Sequence, residues 1–260
     1  MENALLVGLS RQMALSHELD IVANNIANID TTGYKADNAL FSQYLMAKAS
    51  DQDFTGTDRR VSFVTDRSSW IDFSAGAISR TGNPLDVAID GPNAYLAVQT
   101  PQGVRYTRNG ALLTNATGQL VTDEGYPVLG DNGPITFQPG DHNVIISPTG
   151  IITVRNGSDP SDAPRGRLQL VAFAQQDRLQ KDGGSMFEAP AGVTPIATPL
   201  GTRVVQGAIE KSNVNAVAEI SRMIQITQSY SDIATVLQQQ SDQRKNALTQ
   251  LSQAPASGSA

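Results

Sequence analysis

The residues able to do acid–base, nucleophilic or metal chemistry are few in this chain, and their spacing serves none of it. There are 2 histidines and no cysteine. His17 falls on a helical pattern and His142 in a turn-rich stretch beside Asp141, so without a thiolate neither has the companions of a zinc site. Each reads better as a helix-packing or solvent-facing side chain. Asp131-Asn132-Gly133 matches the start of a calcium loop, but the rest of the twelve-residue ligand pattern is missing and a turn is the better reading. The carboxylate pair Asp123-Glu124 also sits at a turn signal. No phosphate loop, dinucleotide fingerprint or nucleophile elbow occurs. Asn115-Ala116-Thr117 and Asn156-Gly157-Ser158 fit the glycosylation pattern, which is short enough to arise by chance. The expectation is a protein with no catalytic residues, no metal and no cofactor.

Bulk properties narrow the partners. A net charge of −6 and a pI near 4.9 leave no basic patch to neutralise phosphates, so nucleic acid is not expected. No run of about eighteen apolar residues is present to insert into a membrane. Met1-Glu2-Asn3 lacks the basic start and apolar stretch of a secretory signal, and taken bare this reads as cytoplasmic.

With chemistry set aside, the elements carry the information. Leu15, Leu19, Val22, Ile26 and Ile29 recur at spacings of four and three, one apolar stripe of a helix that Leu5 extends and that Gly8 and Gln12 interrupt. Asn24, Asn25 and Asn28 crowd its last turns, where an amide competes for backbone groups. Thr31-Thr32-Gly33 ends the pattern, Gly33 supplying the positive φ that closes a helix or turn. Near the other end Ile220, Met223, Tyr230, Ala234, Leu237, Leu248 and Leu251 follow a seven-residue register, and Ile226, Tyr230, Ile233 and Leu237 form a second stripe beside it. From Ala216 to Leu251 there is no Gly or Pro, so the helix would run for about 54 Å. Ser212, Asn213 and Asn215 are candidate caps. Such stripes serve equally to pack two helices on a globular core or, because polar breaks at Gln12, Ser16, Thr227 and Ser241 weaken the seams, to pack against neighbouring copies.

From Gly76 to Phe173 short β-branched and aromatic runs alternate with turn signals, the rhythm of an all-β domain. Thr100-Pro101-Gln102-Gly103, Asn109-Gly110, Asn115-Ala116-Thr117-Gly118, Gly130-Asp131-Asn132-Gly133-Pro134 and Ser147-Pro148-Thr149-Gly150 are the punctuation, with Asn109-Gly110 a favoured tight-hairpin signal. Asn156 to Arg165 reads as a loop. The expected fold class is α+β, with long N- and C-terminal α-helices pairing as a coiled-coil-like core segment around a central all-β domain. Its divisions are a helix over residues 1–35, a connector over 36–75 in which Phe41, Tyr44, Leu45 and Met46 extend a short helix, and the β domain over 76–180. An extended return path follows over 181–211, a second helix over 212–252 and a disordered tail over 253–260.

Three segments together resemble the flagellar basal-body rod proteins of the rod and hook family. They are Ala23 to Lys35, then Gly76 to Ile89 with Tyr106-Thr107-Arg108-Asn109-Gly110 and Gly125 to Gly130, and finally Ser212-Asn213-Val214-Asn215. The opening Glu2 to Leu15 is closer to the proximal-rod type than to the distal-rod type, whose start usually carries a Trp; the single Trp here is Trp70. Pro92-Asn93-Ala94-Tyr95 departs from relatives, which often show Gly followed by aromatics. The resemblance implies a non-enzymatic subunit, exported by the flagellar type III apparatus without a cleaved signal to a periplasmic rod. It implies terminal helices that pack with other rod proteins and with copies of the chain itself, the β domain lying outside the tube. On that basis the expected assembly interface comprises Leu15, Leu19, Val22, Asn24, Asn25, Ile26, Asn28, Asn213, Asn215, Ile220, Met223, Tyr230 and Leu237, the asparagines fixing register. Distal rod or hook subunit is the alternative within the family, and a secreted β-domain adhesin or carbohydrate-binding module the alternative outside it.

Overall fold

The computed structural model describes residues 2–46, 61–156 and 163–253. Two α-helices, α1 (Glu2–Ala27) and α2 (Ala216–Gln253), flank a β-rich middle, which makes the chain α+β. Contacts divide it into a helical unit of residues 1–24, 37–70 and 217–260 and a β unit of residues 25–36 and 71–216.

In the helical unit, Asp37–Met46 and Val61–Ile71 form a two-stranded sheet. This corrects the expected irregular connector: residues 41–46, read as a short helix, are strand. Phe41, Tyr44 and Leu45 stand at three- and four-residue spacings that suit a helix turn, and pairing with a second strand decides the matter. α1 buries Ala14, Ile21 and Val22, leaving Leu15 and Leu19 half-buried. On α2 the half-buried or buried positions step through Met223, Ile226, Tyr230, Ile233, Leu237, Gln240 and Arg244, alternately three and four apart. The second of the two stripes therefore faces inward, with Ile226 the deepest at 5% exposure. Ile220 and Leu248 of the seven-residue register lie outward, at 48% and 68%. The two helices meet where a Cβ on Gly8 would lie 2.7 Å from Leu237 Cδ2, so the glycine that breaks the α1 stripe admits the leucine of α2. Glu18 accepts from Arg222 at 2.9 Å, and Arg222 also donates to Asn38 at 3.4 Å.

In the β unit a five-stranded antiparallel sheet runs in the order Leu170–Ala172, Ala94–Thr100, Gly103–Thr107, Met186–Glu188, Gln180–Lys181. Strand Ala94–Thr100 is covered on both faces. Ala94, Leu96 and Val98 enter a core with Leu112, Leu120, Val128 and Ile152, while Tyr95 and Ala97 enter a second with Tyr106, Phe173 and Phe187. That two-sided burial is why the strand reads as a continuous apolar run. A three-stranded sheet of Asp141–Ile146, Ile151–Asn156 and Ala163–Arg167 stands beside it in sequence, so residues 163–165, expected as loop, are strand.

Most of the turn signals connect paired strands, as at Thr100↔Gly103 and across Ser147–Gly150. Asn109-Gly110 does not. Gly103–Thr107 pairs with its neighbours in the large sheet and Leu112–Thr114 pairs with Leu120–Thr122, so no hairpin spans the dipeptide. Asn109 is buried, donating to Asp123 at 3.0 Å and accepting from the Ala111 amide, which makes it a core fastener. The expected return path over 181–211 is partly paired. Arg203–Gln206 joins Val87–Asp90, and Ala208–Glu210 joins Ile78–Arg80. Of the expected tail, Gln253 is the last residue of α2 and 254–260 lie outside the described residues.

Candidate functional site

Within the β unit, three segments far apart in sequence converge: residues 33–36 after α1, residues 72–77, and residues 208–213 before α2. Glu210, 1% exposed, lies at their meeting point. Its Oε1 accepts from Lys35 Nζ at 2.5 Å and from the Gly76 amide at 2.9 Å, and its Oε2 accepts from Arg108 Nε at 2.6 Å. Lys35 also donates to Ser74 O at 2.7 Å. The Arg108 guanidinium continues into backbone, donating to the carbonyls of Ala94 and Ile89 at 3.0 Å each and to Gly91 at 3.3 Å. Planar, five-donor geometry suits arginine to this role of joining a carboxylate to several carbonyls. Burial pulls the Lys35 ammonium below its ordinary lysine value, against the attraction of Glu210, which raises it.

Backbone proximity at this point excludes side chains. Gly33 has φ +69°, and a Cβ there would stand 2.4 Å from the Asn109 amide nitrogen. At Gly76 a Cβ would stand 1.9 Å from Lys211 O. Asn213 closes the far side: Oδ1 accepts from the Ala36 amide at 2.8 Å, and Nδ2 donates to Asp72 O at 2.8 Å and Ser74 O at 3.2 Å. Tyr34 is buried, its hydroxyl donating to Asn25 Oδ1 at 3.3 Å while Lys181 Nζ sits 4.0 Å from its ring centroid and donates to Lys35 O.

The positions singled out in sequence thus fall into two groups. Asn25, Gly33 and Asn213 are fasteners inside the β unit, and Asn28 Oδ1 accepts from Thr31 at 3.1 Å. Ile26 is half-buried, whereas Asn24 and Asn215 lie exposed. Leu15, Leu19, Val22, Ile220, Met223, Tyr230 and Leu237 belong to the helical unit, spread between the seam and the outer face. Asn213 is no helix cap; α2 starts at Ala216, directly after Asn215. The triad Lys35, Arg108 and Glu210 was not anticipated, although each stands within or beside a segment that carries the family resemblance. Among the described residues no cluster of His, Asp and Glu is placed to hold a metal, and no helix is long and apolar enough to cross a membrane.

A β unit with helical segments at both ends of the chain and a buried, paired ionic centre is the architecture to be compared with known proteins. Three family models match in succession: "Flagella basal body rod protein" over residues 5–35, "Flagellar hook protein FlgE/F/G D1 domain" over 88–154 and "Flagellar basal body rod FlgEFG protein C-terminal" over 205–251. The chain is 36% identical to the flagellar basal-body rod protein FlgF of Caulobacter vibrioides, covering 96% of this chain and 98% of that protein. It is 34% identical to FlgF of Rhizobium meliloti, covering 91% and 92%, and 32% identical to FlgG of Buchnera aphidicola, covering 90% and 93%. The chain belongs to the flagellar basal-body rod protein family, whose members are structural subunits of the rod and not enzymes.

Proposed function

We propose that this chain is a proximal-rod subunit that joins other rod proteins, and copies of itself, through the outer faces of its terminal helices, the pair acting as a coiled-coil-like segment. The observation that carries this is the apolar row Val217, Ile220 and Ile224 on α2, exposed to 75%, 48% and 53% at helical spacing and turned away from the seam that holds Ile226 and Ile233. On α1, Leu9 and Met13 are likewise exposed, at 45% and 66%. A row of this kind is costly to leave in water, and burial against neighbouring helices recovers about 25 cal/mol per Å². The proximal-rod assignment is supported by the FlgF relatives, and membership of the rod family supports the reading that the chain is exported without a cleaved signal to the periplasmic rod. The test is Ile220→Asp. It should leave the purified protein folded, because the position is outside the seam, and should abolish incorporation into isolated basal bodies and swimming, because it places an unpaired carboxylate in a subunit contact. Normal basal bodies and motility in that variant would refute the assembly role of this face.

A further inference from the structure

Residues 33–36 belong to no sheet. Their backbone is held by groups from two directions: Gly33 N–H donates to Glu210 O at 2.8 Å and Ala36 N–H to Asn213 Oδ1, while Ala36 O accepts from the Asp72 amide at 2.8 Å. Residues 72–76 are no better supplied. Ser74 O is shared by Lys35 and Asn213, Gly76 N–H ends on the Glu210 carboxylate, and Ala77 O accepts from the Lys211 amide at 2.9 Å. Removing any one segment therefore takes partners from both of the others, and the buried charges among them, Lys35 and Glu210, are far more expensive alone than paired.

We infer that residues 33–36, 72–77 and 208–213 open and close as a single cooperative latch, with Glu210 as its keystone, so that the segment after α1 is held only when the segment before α2 is in place. The latch opens below the free energy of global unfolding, because the buried members of the two apolar cores are other residues, Leu96, Leu112, Leu120 and Ile152 in one and Tyr95, Phe173 and Phe187 in the other, with half-buried Phe73 lying against Phe187 at the edge of the second. Its consequence is an order of events: a chain whose C-terminal segment has not arrived has a formed sheet core and an unfastened N-terminal segment. This goes beyond the assembly role and holds whether or not the outer helical face binds a neighbour.

The test is residue-resolved amide hydrogen exchange on the full chain and on two variants, Lys35→Met and Asn213→Ala, which touch opposite sides of the latch. The reporters are the amides of Gly33, Asp72 and Lys211, whose acceptors are backbone carbonyls left intact by both substitutions. Losing one buried hydrogen bond or ion pair should open the unit about tenfold more often, so all three reporters should accelerate by that factor, and by a common one, in both variants. Amides across the pairing of Ala94–Thr100 with Gly103–Thr107, which open only with the whole unit, should exchange more slowly than the three reporters in the wild type and in both variants. Acceleration confined to the amide whose partner was removed, such as Ala36 alone in Asn213→Ala, would overturn the latch. Reporters as strongly protected as the sheet amides in the wild type would overturn it equally, since the segments would then open only with the whole unit.

Discussion

Glu210, at 1% exposure, is met in the interior by two cations and a backbone amide. The neighbours are not equivalent. Lys35→Met leaves Glu210 paired with Arg108 and strands only part of Ser74 O, a loss of about 1–2 kcal/mol. Glu210→Gln leaves two buried cations facing a neutral amide and should cost about 3–5 kcal/mol. Denaturant titration of both variants checks the order; a larger loss for Lys35→Met would contradict it. The lysine also sets a pH dependence. Its folded pKa lies below the ordinary value of about 10.4, so beneath that pH the unfolded chain binds more protons and this group's contribution to stability rises with pH. The wild type should therefore gain on Lys35→Met as pH increases from neutrality toward that value. Taking the difference cancels the buried phenols of Tyr95 and Tyr106, which burial pushes up in both proteins. Parallel curves would show that Lys35 titrates normally. None of this was legible in the sequence, because a buried charge looks like a surface one until its partner, 175 residues away in the chain, is placed beside it.

Among the elements, α2 shows what periodicity reveals and what it leaves undecided. Both apolar stripes were visible, and the uninterrupted run from Ala216 fixed the helix. Choosing the inward stripe required the burial of Ile226 and Ile233 against the exposure of Ile220 and Leu248, since Leu237, which Gly8 of α1 admits, belongs to both stripes. Since Leu237 belongs to the seam, Leu237→Asp should weaken the helix pair itself by about 2–4 kcal/mol, whereas Ile220→Asp should change monomer stability by less than about 0.5 kcal/mol. Thermal melts followed by far-UV circular dichroism separate the two, and equal melting of both variants would contradict the assignment of the seam. Turn chemistry was legible wherever strands on either side pair with each other, as at Pro101-Gln102. It misled at Asn109-Gly110, where the buried asparagine side chain takes up the local hydrogen bonds and the flanking strands join different sheets. The strand pair at Asp37–Met46 and Val61–Ile71 was missed because strand pairing, not local propensity, specifies it.

For the whole molecule, the division of labour is between a β unit fastened from within and helices with an apolar face left open. Asparagines at both ends of the chain looked like contacts between subunits. Asn25 and Asn213 hold Tyr34, Ala36, Asp72 and Ser74 of their own chain, and the outer apolar row is the surface we propose for neighbours. The absence of cysteine from the native sequence makes this directly measurable, because a single introduced thiol reports without background. Ile220→Cys and, as a control on the exposed surface of the β unit, His142→Cys can be labelled with a charged thiol reagent in the purified protein and in isolated basal bodies. Both thiols should react readily in the free protein; in basal bodies the thiol at 220 should be protected while the thiol at 142 still reacts, and equal labelling of position 220 in the two states would contradict assembly through this face.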